Sequence, residues 1–89
     1  MDPKLERAVI AEITDELGID PAGVNRASRL AEDLAVDSLE AVELMMRIED
    51  AFGLRLPEAD VASLRTVGDV IDLIGRVAAG DTDGRGRAG

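Results

Sequence analysis

Histidine, cysteine, tryptophan and tyrosine are all missing from this 89-residue chain. Without an imidazole or a thiol there is no ordinary base to activate a serine and no thiolate nucleophile. Disulfides and Cys/His zinc sites are excluded on the same ground. Lys4 is the only lysine and Phe52 the only aromatic residue, so a core has to come from Leu, Ile, Val, Met and Ala. No run of about 18 apolar residues occurs, which leaves nothing to span a membrane. The start, Met1-Asp2-Pro3-Lys4, lacks the basic end and apolar centre of a secretory signal. The expectation is a cytoplasmic monomer.

Positive charge is also scarce. Nineteen acids stand against ten bases, a formal net charge of −9. Nucleic acid is thereby excluded as a partner, because its phosphates require Lys and Arg. Seven acids crowd between Glu32 and Asp50 (Glu32, Asp33, Asp37, Glu40, Glu43, Glu49, Asp50) against one base, Arg47. A solvated helix face predicts acids but not this crowding; a basic protein partner explains both. Crowded acids also repel, so added salt or Mg²⁺ should stabilise the chain unless Arg26, Arg29 and Arg55 already pair with them.

What is present is helical periodicity. Asp2 then Pro3 reads as a cap and first-turn proline. Leu5, Val9, Ile13 and Leu17 then recur at helical spacing, predicting a helix over 3–17. From Gly18 to Asp37 no period is sustained; Val24, Leu30 and Leu34 are expected to pin this loop, with a helical turn near 29–34. A second helix starts at Asp37 or Ser38 and stops at Phe52-Gly53. Leu56-Pro57-Glu58 restarts a short helix, and Thr66 with Asp69 has capping-box spacing ahead of a last helix ending at Gly80. The expected core is Val9, Ile13, Leu34, Val42, Met45, Ile48, Phe52, Leu64, Val67, Ile71 and Ile74. The predicted fold is all-α: an antiparallel four-helix bundle, three longer helices plus one short, with a long first loop. Residues 1–80 form the domain and 81–89 a polar, glycine-rich, disordered tail.

Ser38 stands where the loop enters the second helix, between Asp37 and Leu39. Asp-Ser-Leu matches part of an esterase nucleophile motif, yet the chain has no base for it and no sheet for an oxyanion hole. Metal binding fares little better, since Asp33 and Asp37 are separated by apolar residues rather than by further ligands. Two readings of Ser38 stay open and are compatible: a helix cap, with Asp37 as the alternative cap, or an attachment point. A helix start offers free N–H groups and positive partial charge to a phosphate esterified there.

The run Leu30-Ala31-Glu32-Asp33-Leu34-Ala35-Val36-Asp37-Ser38-Leu39, the acidic helix to Phe52, then Leu54 to Pro57, Thr66-Val67 and Asp69 resemble the acyl carrier protein family. The resemblance implies that Ser38 carries 4'-phosphopantetheine transferred from coenzyme A by a phosphopantetheinyl transferase, flanked by Asp37 and Leu39. It implies a carrier that is a substrate rather than an enzyme, presenting thioesters to acyltransferase, ketosynthase and other enzymes of fatty acid or polyketide biosynthesis. Basic patches on those enzymes would dock on Glu40, Glu43 and Glu49, with Leu39 and Met46 as exposed apolar contacts. The acyl chain is expected to shelter between helices, since a methionine-containing aliphatic core opens readily. Ala35 stands where the family has glycine, so the turn is expected either to avoid a positive φ or to be slightly strained. Leu30 replaces the common phenylalanine. An aminoacyl or peptidyl carrier, or an acidic helical module without a prosthetic group, are the competing readings.

Overall fold

Three apolar stripes at helical spacing can be buried only against one another, and the fold follows from that need. The computed structural model describes residues 3–80. The expected Asp2 cap and the 81–89 tail lie outside them. In order come α1 (Pro3–Leu17), a short 3-10 turn (Pro21–Gly23), α2 (Ser38–Phe52), α3 (Glu58–Val61) and α4 (Val67–Ala78). The described residues form an all-helical bundle, in which α1 packs on both α2 and α4. Val9 and Ile13 of α1, Leu44 and Ile48 of α2, and Val67, Val70, Ile71, Leu73 and Ile74 of α4 are fully buried. Thr14 is buried as well, its hydroxyl donating to the Ile10 carbonyl at 2.9 Å.

Val42, expected in the core, is instead 53% exposed. At about 100° per residue, the apolar arc of α2 runs from Leu44 through Met45 to Val42, Met46 and Leu39, roughly 220° of the helix. Neighbouring helices cover only the Leu44–Met45 side. Leu34, Phe52 and Leu64 are half-buried against the core rather than within it.

The long loop is pinned by Val24, Leu30 and Val36. An isolated antiparallel bridge joins Arg29 to Thr66, with Leu30 N–H donating to Arg65 O and Val67 N–H to Ser28 O, both at 2.9 Å. Gly68 lets the loop come close: a Cβ there would lie 3.0 Å from the Arg26 carbonyl oxygen. Arg26 also pairs with Asp72 at 2.8 Å.

Across the α1–α2 seam, Arg47 donates to Glu12 at 2.9 Å, to Glu16 at 3.0 Å and to Asp15. These hydrogen bonds hold its guanidinium pKa above the usual arginine value. They also offset carboxylates that stand unfavourably near the C-terminal end of α1.

Candidate functional site

The start of α2 decides what Ser38 can do. Asp37 is the N-cap, its Oδ1 accepting from Glu40 N–H at 2.8 Å, while Glu40 Oε1 accepts from Asp37 N–H at 3.3 Å. This reciprocal box assigns capping to Asp37 and leaves Ser38 as the first helical residue. Ser38 is exposed, and its hydroxyl has no hydrogen-bond partner among the described residues. The other two serines are engaged: Ser28 Oγ accepts from Asn25 N–H at 3.0 Å and Ser63 Oγ donates to Asp60 O at 2.9 Å.

Upstream, Val36 is buried and its N–H donates to Leu30 O at 2.8 Å. Between that anchor and the cap, Ala35 takes φ 58°, the left-handed region that costs a non-glycine residue about 1–2 kcal/mol. Of the two outcomes expected for this turn, the strained one holds.

Along α2 from Ser38, Leu39 and Met46 are 67% and 62% exposed. Glu43 and Asp50, seven residues apart, fall on the same side of the helix as these two. Sequence reading left Asp50 out of this stripe, although the seven-residue spacing signals it. Glu40 lies to one side. Glu49 lies about 120° from Glu43 on the helix; it is half-buried, and its Oε2 accepts from Leu56 N–H at 2.8 Å.

Few cations answer these acids. Arg29 pairs with Asp33 at 3.2 Å, and its side-chain and backbone donors hold the Asp33 carboxyl below the usual aspartate range. Arg26 pairs away from α2, and no ion pair of Arg55 occurs among the described residues.

Beside the exposed stripe runs an open groove of about 430 Å³, walled by Val42, Met45, Met46 and Glu49 on α2. Arg55, Leu56, Glu58, Val61 and Ala62 complete its lining. The groove starts at Val42, one helical turn or about 6 Å along the axis from Ser38. Among the described residues no group of three carboxylates is placed to hold a metal ion, and no helix is long and apolar enough to cross a membrane.

The family described as the phosphopantetheine attachment site matches residues 7–74. This chain belongs to the acyl carrier protein family. The acyl carrier protein of Chlamydia muridarum is 47% identical over 70 residues, covering 79% of this chain and 91% of that protein. That of Thermosynechococcus vestitus is 42% identical over 71 residues, covering 80% and 88%. A meromycolate extension acyl carrier protein of Mycobacterium leprae is 44% identical over 68 residues, 75% of this chain but 59% of that longer protein. The prosthetic group of a carrier in this family is covalently bound 4'-phosphopantetheine. An exposed, unengaged serine at a helix start suits such a group. The N–H groups of Ser38 and Leu39 have no acceptor among the described residues, and the partial positive field of a helix start favours an anion beside them. That field is worth about 0.3–1 kcal/mol at an exposed terminus, and the neighbouring Asp37 and Glu40 carboxylates oppose it.

Proposed function

We propose that Ser38 Oγ is the attachment point of 4'-phosphopantetheine, and that the chain carries acyl groups in fatty acid or polyketide assembly as a substrate of other enzymes. The observation carrying this reading is the transfer of capping to Asp37, which leaves Ser38 the one serine whose hydroxyl is both exposed and unengaged. In the loading step Ser38 Oγ attacks a phosphorus of the coenzyme A pyrophosphate. Its proton passes to a base on the transferase, the pyrophosphate P–O bond breaks, and the adenosine bisphosphate half leaves. The transferase brings its own base and Mg²⁺, because the carrier has no imidazole. Once attached, the arm supplies a thiol for thioester linkage, chemistry that no residue of this chain provides.

Leu39, Glu43, Met46 and Asp50 form the stripe that partner enzymes dock on, with Glu40 beside it. Acid on an exposed apolar strip matches a basic rim around an apolar patch, which favours correct encounter over tight binding. The groove next to the stripe takes the acyl chain, whose methylenes each gain about 0.8 kcal/mol on leaving water.

Incubation with coenzyme A and a phosphopantetheinyl transferase tests the assignment. One phosphopantetheinyl mass should be added, and Ser38→Ala should abolish it. Modification mapped to Ser28 or Ser63 would overturn it.

A further inference from the structure

We infer that Glu49 is a positioning residue for the acyl chain, holding the wall of the α2–α3 groove through the Leu56 amide rather than serving as a docking charge. The inference rests on the groove being the acyl site. Three hydrogen bonds to this one residue fix the chain that follows α2, the first of them from Gly53 N–H to the Glu49 carbonyl. The Glu49 carbonyl accepts from Leu54 N–H at 3.0 Å, and its carboxylate accepts from Leu56 N–H at 2.8 Å. Leu56 is buried and lines the same groove as Glu49.

A carboxylate accepting a backbone N–H is a charge-assisted bond, stronger than a neutral one. Removing it leaves a partly buried donor without a partner. The segment from Leu54 to Leu56 then loosens, and the groove loses its fixed edge. Glu49 also points about 120° away from Glu43 around α2, so one flat partner face does not meet both squarely.

Glutamine at 49 keeps an acceptor oxygen and removes the charge, whereas alanine removes both. Wild type, Glu49→Gln and Glu49→Ala should each be loaded through Ser38 with saturated acyl chains of increasing length. Melting midpoints, amide exchange at Leu56 and affinity for a phosphopantetheinyl transferase are then measured. Wild type and Glu49→Gln should show midpoints that rise with chain length, and Glu49→Gln should keep transferase affinity within about twofold, a small electrostatic change for a charge off the docking stripe. In Glu49→Ala the rise should vanish and Leu56 N–H should exchange about tenfold faster, as loss of one such bond implies.

A Glu49→Ala carrier that keeps the wild-type rise overturns the assignment alone. So does a Glu49→Gln carrier that loses transferase affinity as strongly as Glu43→Gln. Wild-type midpoints that ignore chain length overturn the acyl reading of the groove, and the role of Glu49 with it. Should Glu49→Ala fail to fold, Glu49→Gln decides: retained chain-length dependence and affinity support the role, and loss of either overturns it.

Discussion

Two helix starts in this protein carry the same local device and put it to different ends. At α4, Thr66 Oγ1 accepts from Asp69 N–H at 3.1 Å while Asp69 Oδ2 accepts from the N–H groups of Thr66 and Arg65. The first helical residue there, Val67, is fully buried, and the loop carbonyls of Ser28 and Arg26 accept from Val67 and Gly68. At α2 the box of Asp37 and Glu40 is followed by Ser38, which is exposed and whose hydroxyl has no hydrogen-bond partner among the described residues. A capping box therefore sets where a helix begins, and the residue after the cap decides whether that beginning closes a core or leaves a hydroxyl exposed.

The largest effect that would test this contrast is at the closed start. Gly68→Ala places a methyl 3.0 Å from a backbone carbonyl, so it should cost about 1–3 kcal/mol, the range for overpacking. The equivalent exposed change, Ser38→Ala, should stay within about 0.5 kcal/mol. Denaturant unfolding of both variants measures this, and equal losses would break the comparison.

A smaller effect of opposite sign is expected at the open start. Ala35→Gly relieves the left-handed backbone just ahead of Asp37; set against the extra entropy of glycine, it should stabilise by up to about 1 kcal/mol. A loss of stability there would mean that the turn is not strained.

The smallest effect is in acid. Hydrogen bonds from the Arg65 and Thr66 N–H groups, in that order, hold the Asp69 carboxyl below the usual aspartate range. A carboxyl whose folded pKa is depressed contributes stability that is present above its unfolded value and lost as pH falls through the folded one. The start of α4 should thus keep its cap below the ordinary aspartate pKa and lose it only in stronger acid. A carboxyl ¹³C titration that places Asp69 at or above the ordinary value would remove this feature of the closed start.

Much of this was legible beforehand. The three long helices, the short one opened by Pro57, and the box at Thr66 and Asp69 follow from periodicity and local chemistry, whereas the exposure of Leu39 and Met46 is implied by the family resemblance. Periodicity told less about neighbours. It placed Val42 inside because valine on an apolar arc usually is, but α3 is only four residues long and leaves that flank of α2 open. Helical spacing found Leu30 and Leu34, in a turn closed by Asp33 N–H to Arg29 O at 2.9 Å, but missed Val36, which is buried just past the left-handed Ala35 where that spacing ends. The bonds from Glu49 to Leu56 and from Arg47 to α1 join residues seven and more than thirty positions apart, and no local pattern encodes them.

Arg47 lies on α2 yet directs all its hydrogen bonds back to α1. The one cation within residues 32–50 is therefore directed at α1, which leaves Glu40, Glu43 and Asp50 without an ion pair among the described residues. The field of such unpaired acids acts beyond contact, over roughly the 8 Å screening length of physiological salt. It hastens the approach of a basic partner without tightening the final contact. On the proposed docking role, approach rate is set by charge, and residence time by the apolar stripe of Leu39 and Met46. A carrier that must visit several enzymes in turn gains from that division, because quick capture need not slow release.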